Sequence, residues 1–317
     1  MRVTGRIGRD DIAVVYTADM GEGRMVEFVE SVQPPIPRDE KWVLIISTLC
    51  GCPVGCRFCD AGSLDYRGPL SRDDMLAQID FLVKMRYPSG RVPVKKFKIQ
   101  FARMGEPAFN REVLEVLEAL PGMYTAPGLM PCISTIAPEG SERFFDGLME
   151  IKKRLYRYRF QLQFSIHTTD ERLRDWLMPV KKWSFEKISR YGEAFYDDGG
   201  RKITLNFALA DGMPVEPKVL LRYFSPELFL IKITPVNPTY QAVKNKLSSD
   251  RVSREWGRII ERLSSSGYEV ILSIGELEEN RIGSNCGQYI TACQKERRSV
   301  RGAYSYRPQR VHEEVRM

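Results

Sequence analysis

The chain has 317 residues, 43% of them hydrophobic, with a formal net charge of +7 and seven cysteines. That length fits one large α/β domain or two smaller ones with a substantial core, and the ordinary apolar content excludes wholesale disorder. No apolar run reaches the roughly 18–20 residues that span a bilayer, and no apolar stretch of the secretory type follows Met1. So many thiols without a leader suit a reducing cytoplasm, and the basic balance permits a polyanionic partner.

The first forty residues read as a short N-terminal β-hairpin extension. Residues 12–16 and 24–32 have strand composition, and Asp19-Met-Gly-Glu-Gly23 between them has turn composition. Gln33-Pro-Pro-Ile-Pro37 follows as a rigid linker, since consecutive prolines enter neither ladder nor helix.

From residue 41 strand and helix signals alternate. Strands are expected over 42–49, 96–102, 130–135, 159–166, 201–209 and 227–235, with another at 269–273. Helices are expected over 71–86, 109–119, 139–154, 184–196, 215–224 and 250–266. Ser71 and its acidic successors open the first helix, and Gly267 closes the last. Six βα units imply parallel strands with right-handed crossovers, as a doubly wound sheet or a partial barrel. In both, the active site lies beyond the carboxyl ends of the strands. The division expected is an extension and linker over 1–40, an α/β barrel over 41–300 and a basic tail over 301–317.

Three cysteines, Cys52, Cys56 and Cys59, follow the first strand of that series with C-x3-C-x2-C spacing. Three thiolates this close can hold three corners of a cubane iron–sulfur cluster. Full ligation needs four, so one iron keeps an open position. That is the pattern of radical S-adenosylmethionine (SAM) enzymes. A zinc site with Cys50 as fourth ligand competes, but its spacing from Cys52 departs from zinc knuckles. Chain length and context argue against a disulfide framework, and seven cysteines cannot all pair.

Other chemically suggestive residues also fall at strand ends. In Arg103-Met-Gly-Glu106-Pro, Gly105 allows close approach of the backbone to a ligand, and Glu106 can accept hydrogen bonds from the SAM ammonium. Ser134 and Thr135 end the third strand. Ser165 and His167 end the fourth, on one face by the period of two, where they could contact the SAM carboxylate or ribose. Asn237, between Pro235 and Pro238, is held extended and suits an adenosine contact. Cys286, in Gly283-Ser-Asn-Cys-Gly-Gln288, precedes a predicted helix start, a setting that favours a nucleophilic thiolate.

Together these residues resemble the RlmN/Cfr family of radical SAM adenosine methyltransferases, which modify RNA. The resemblance runs through roughly residues 11–300 in order. It rests on Cys52, Cys56 and Cys59, Met104-Gly-Glu-Pro107, Ser134-Thr135, Ser165-Ile-His167, Arg174-Asp-Trp-Leu-Met-Pro179, Asn237-Pro238 and Cys286-Gly-Gln288. It implies a partial (βα)6 barrel, a 4Fe-4S cluster and two SAM molecules used in turn. One SAM methylates Cys286; the second yields a 5′-deoxyadenosyl radical that abstracts hydrogen from the S-methyl group, and the carbon radical adds to an adenine carbon. It further implies that Gly105, Glu106, Ser134, Ser165, His167 and Asn237 bind SAM, that Glu27 is a base, and that a flavodoxin- or ferredoxin-type protein donates electrons. Two departures stand out. Ile45 occupies the position of the family's resolving cysteine, leaving Cys50, Cys132 or Cys293 as substitutes, and no helical RNA-binding domain precedes Lys41. The substrate expected is RNA, with a small molecule or peptide as the alternative. Two stretches, 152–159 and 295–307, interleave cations with aromatics as RNA contacts do.

Overall fold

A computed structural model describes residues 1–274, 277–285, 288–294 and 300–314. The chain opens with three antiparallel strands, β1 (Arg2–Arg9), β2 (Ala13–Asp19) and β3 (Met25–Ser31), and β4 (Lys41–Ile46) lies antiparallel to β3. A parallel series then runs from β4 through β5 (Lys96–Phe101), β6 (Leu129–Thr135), β7 (Gln161–Ser165), β8 (Ile203–Leu209) and β9 (Phe229–Pro235) to β10 (Val270–Leu272). The helices between them are α1 (Arg72–Arg86), α2 (Glu112–Met123), α3 (Glu142–Ile151), α4 (Glu171–Leu177), α5 (Phe185–Phe195), α6 (Pro217–Tyr223), α7 (Tyr240–Lys244) and α8 (Val252–Ser264). Two short helices, α9 (Leu277–Ile282) and α10 (Tyr289–Gln294), precede a last strand, β11 (Gln309–Glu314). All the strands join one sheet in the order β10-β9-β8-β7-β6-β5-β4-β3-β2-β1-β11.

This is a mixed α/β fold on a mostly parallel sheet, and the alternation along its strands explains it. Trp42, Leu44 and Ile46 on β4 and Phe97, Ile99 and Phe101 on β5 are fully buried in one core with Leu76, Ile79 and Leu82 of α1. The intervening side chains, Lys41, Val43 and Ile45 with Lys96, Lys98 and Gln100, take the opposite face. The Ser71 hydroxyl accepts from the Asp74 N–H while Asp74 returns a bond to the Ser71 N–H, a complete capping box that fixes where α1 starts.

Three differences from the sequence reading have physical causes. The N-terminal segment holds three strands rather than two, and β3 continues directly into the parallel series, so the hairpin does not stand apart from the sheet. Its first strand was hidden by Thr4, Gly5, Arg6 and Gly8, which weaken the strand signal although Val3 and Ile7 are buried. The basic tail ends in β11, which covers the outer edge of β1 with Arg2 opposite Glu314. Finally, α2 starts three residues later than expected and runs past Pro121 to Met123. Proline cannot donate to the Leu117 carbonyl four residues back, and the Tyr156 hydroxyl donates to that carbonyl instead.

Candidate active site

Beyond Ile46 the chain turns into the cysteine loop. Its root is tied to the end of β5, because the Thr48 and Leu49 N–H groups both donate to the Met104 carbonyl, at 2.8 and 3.1 Å. The loop then closes on itself. Cys52 N–H donates to the Ala61 carbonyl at 3.1 Å and Cys59 N–H to the Cys56 carbonyl at 3.0 Å. Gly55 and Gly62 touch backbone to backbone: a Cβ on Gly62 would lie 2.7 Å from Gly55 Cα.

Cys52, Cys56 and Cys59 are half-buried and none of them is in a disulfide. Burial pushes the Cys52 thiol up to about 11 and the Cys56 thiol well above its ordinary value, and Cys59 and Cys52 add to the effect on Cys56. The three sulfurs therefore feel one another. Among the described residues no three Cys, His, Asp or Glu side chains converge on a point that could hold a single metal ion. A tetrahedral zinc demands such convergence. A cubane does not, since each thiolate takes a different iron, so the donor set fits a cluster whose binding would displace the thiol protons.

Glu106 lies beside these thiols, and its charge contributes to the rise at both Cys52 and Cys56. It is 5% exposed and accepts from the Ala108 N–H at 3.0 Å, the Thr135 hydroxyl at 2.5 Å and the Ile136 N–H at 2.9 Å. Burial raises its carboxyl to about 7. A carboxylate offers about four acceptor positions, so one remains. The close approach expected of Gly105 is made toward protein: with φ of 101°, an added Cβ would sit 2.4 Å from Leu49 Cγ. Gly105 thus presses the end of β5 onto the root of the cysteine loop.

His167 departs from the shared face expected with Ser165. β7 ends at Ser165, and Ile166 and His167 N–H groups then both donate to the Asn206 carbonyl, at 2.9 and 3.1 Å. His167 takes φ of 65°, so the pleat no longer sets its direction. Its Nδ1 accepts from the Ala208 N–H at 3.0 Å, which leaves the ring proton on Nε2. Burial first and the Arg174 charge second lower it to about 3, a neutral imidazole. Its ring meets Phe58, the aromatic residue before Cys59, edge-on at 4.8 Å.

Arg174, quoted above only as part of a motif, is 4% exposed. Its Nη1 donates to the Trp183 carbonyl at 2.8 Å and its guanidinium stacks over Phe185, but Nε and Nη2 have no partner among the described residues. A buried cation so placed wants an anion. Ser134 accepts from Gln100 Nε2 at 3.4 Å on the inner face, Ser165 pairs with Asn206 across β7 and β8, and Asn237 lines a small cavity with Thr239, Asn280, Gly283, Asn285 and Tyr304.

Cys286 lies outside the described residues, but the chain on both sides of it is held tightly. Arg103 donates from Nη1 to the Ser284 carbonyl and from Nη2 to the Gly283 carbonyl, each at 2.9 Å. Arg103 Nη2 also pairs with Glu27 at 2.6 Å, and the other Glu27 oxygen accepts from the Ile290 N–H at 2.7 Å. Both side chains are buried. Glu27 is therefore an anchor here, and the role of base expected for it would require its release from Arg103. Burial raises its carboxyl while Arg103 lowers it. Asp60, the residue after Cys59, accepts from the Gln241 N–H at 2.9 Å and the Tyr304 hydroxyl at 2.6 Å, and its carbonyl accepts from the Thr291 hydroxyl at 3.3 Å. Sequence reasoning gave no role to Arg103, quoted only within a motif, or to Asp60, which directly follows the cysteine triad.

Of the candidate resolving thiols, Cys50 is buried and directed at the Met25 carbonyl, 3.6 Å away. Cys132 lies in the row that runs from Ile45 through Gln100 across three neighbouring strands. The side chain of Cys293 lies outside the described residues.

No family model matches the chain. It is 30% identical to a probable RNA methyltransferase of Ectopseudomonas mendocina over 270 residues, 83% of this chain and 69% of that one. It is 26% identical to a probable dual-specificity RNA methyltransferase RlmN of Chlorobium phaeobacteroides, over 80% of this chain and 68% of that one. A radical SAM methyltransferase structure from Sphaerobacter thermophilus superposes with a TM-score of 0.67 at 21% identity, covering 90% of this chain and 80% of that one, a likeness of fold.

Proposed function

This chain belongs to the RlmN/Cfr family of radical SAM methyltransferases, and from that premise we propose that it methylates an sp2 carbon of adenine in RNA with Cys286 as methyl carrier. A 4Fe-4S cluster on Cys52, Cys56 and Cys59, reduced by a flavodoxin- or ferredoxin-type donor, would supply the reductive cleavage of SAM. The remaining work falls to side chains. The free acceptor position on Glu106 receives the SAM ammonium, and the unpartnered N–H groups of Arg174 receive its carboxylate. His167 offers Nε2–H as a fixed donor, and Ser134, Ser165 and Asn237 hold the ribose and adenine. Glu27 and Arg103 fix the chain around position 286.

The observation that carries this reading is the pair of ties between the flanks of Cys286 and the strand ends: Arg103 on Gly283 and Ser284, and Asp60 with Thr291. They bring the candidate carrier's neighbours to the cysteine loop. RNA as substrate draws on the names of the relatives and on the basic charge. With Ile45 at the resolving position, Cys132 in the same row takes that role. The test is to incubate reconstituted enzyme with SAM, reductant and RNA, then search nucleosides for methyladenosine and the Cys286 peptide for an added methyl. An unmodified peptide and unmodified RNA, with SAM cleaved, would remove the carrier role and the substrate.

A further inference from the structure

The face of the sheet opposite α1 changes character toward its N-terminal rim. Lys41 pairs with Lys96 and Val43 with Lys98 across β4 and β5, on the face turned away from the helices. With strands about 4.8 Å apart and a rise of about 3.3 Å per residue, the three lysines spring from backbone positions within roughly 8 Å. Arg201, just before β8, acts on both Lys41 and Lys96, so its charge reaches across the same opening. Like charges directly opposite on neighbouring strands are destabilising. Here burial and the neighbouring cations hold Lys41 at about 8 and Lys96 below its ordinary value. Opposing charges are felt there too: Glu279 for Lys41, where it outweighs Arg201, and the Cys132 thiol for Lys96. Among the described residues no ion pair includes Lys96, Lys98 or Arg201, whereas lysines such as Lys95 and Lys152 have carboxylate partners.

We propose that this rim is a phosphate-binding site in which Lys41, Lys96, Lys98 and Arg201 receive the backbone phosphates of a single-stranded RNA. Clustered cations of which three have no carboxylate in an ion pair among the described residues are complementary to a polyanion, and their mutual repulsion is relieved when one binds. The lysines are half-buried side by side on neighbouring strands, and a single strand can track such a line of cations with its phosphates. From Lys98, level with Met130, to Ser134 is four residues, about 13 Å, so a strand presenting a base at the strand ends brings phosphates to the rim. The identity of the ligand rests on the RNA reading above; the existence of an anion site does not.

The test compares Lys96→Gln/Lys98→Gln with a control that removes the same charge from exposed helix positions, Lys218→Gln/Arg254→Gln. Binding of a labelled single-stranded oligoribonucleotide is followed by anisotropy across salt concentrations. The rim variant should bind at least about tenfold more weakly, and its salt slope should fall by about 1.4, some 0.7 for each lost phosphate contact. The control should match the wild type. The rim variant should melt no lower than the wild type, since repulsion is removed, and should keep its SAM affinity. Equal affinity and slope in rim variant and wild type overturn the proposal, as does an equal loss in the control. Lysine-dependent binding of inorganic triphosphate with RNA indifferent overturns it in favour of a free nucleotide. The two readings fail separately. Lysine-dependent RNA binding without methyl transfer keeps the rim site and removes RNA methylation, while methyl transfer with unchanged RNA affinity removes the rim site alone.

Discussion

The cysteine loop and the segment that carries Cys286 are neighbours built in opposite ways. The first, between Cys50 and Ser63, is shaped in large part by its own backbone: three glycines and three internal backbone hydrogen bonds help to hold it. The second, from Gly283 to Thr291, is held by groups that arrive from far away in sequence, the side chains of Glu27 and Arg103 and the backbone carbonyl of Asp60. A self-templated loop presents its ligands before anything binds. A segment gripped from outside depends on those distant groups, so damage to Glu27 or Arg103 should spare the first region and disturb the second.

The largest effect should come from Cys56→Ala. Reconstituted protein should lose most of its roughly four irons per chain and form no 5′-deoxyadenosine from SAM, with its circular dichroism unchanged. Iron, sulfide and product assays check this, and full cluster content in the variant would break the assignment of the loop.

Next, Glu27→Gln strands the Arg103 guanidinium in a buried place, a loss of about 3–5 kcal/mol by denaturant titration. Adding Arg103→Met should recover most of that stability. Cluster content should stay near wild type in both, because neither residue belongs to the cysteine loop. Iron lost together with stability would erase the distinction between the two regions.

Gly62→Ala is the converse experiment. Its Cβ would meet Gly55 Cα at 2.7 Å, and backbone cannot yield as a side chain can. A cost of about 1–3 kcal/mol is expected, with a lower iron occupancy and an undisturbed Arg103 anchor.

The smallest effect concerns His167, held neutral by burial to about 3 against an unfolded value near 6.5. The unfolded chain binds the extra proton between those values, so this contribution is intact above about pH 6.5 and is lost as pH falls toward 3. At about pH 5 the loss amounts to roughly 2 kcal/mol. His167→Asn, which tolerates the positive φ, should flatten that part of the stability profile relative to wild type. It should leave the profile above neutrality alone. Parallel profiles in the two proteins would mean that the imidazole titrates freely in the fold.

The legible parts of this protein are those whose cause is local. The βα alternation from Lys41 onward follows from side-chain period and caps such as Ser71 with Asp74, and the cysteine loop follows from thiol spacing and glycine. The strand ends mark the site because parallel sheets leave their carboxyl termini facing one opening. What stayed hidden lacks a local cause. β1 and β11 have weak patterns and are held by their neighbours, β1 between β2 and β11. Glu27 reads as one acid among several, and only its contact with Arg103 makes it an anchor.

Sequence alone therefore determined the fold class, the cysteine triad and the residues gathered where strands end, since each depends on spacing along the chain. Only the tertiary structure decided which way His167 turns, that Arg174 is left with unpartnered N–H groups, and that three lysines crowd one rim. Those outcomes depend on burial and on partners distant in sequence, and neither is encoded in any single stretch of residues.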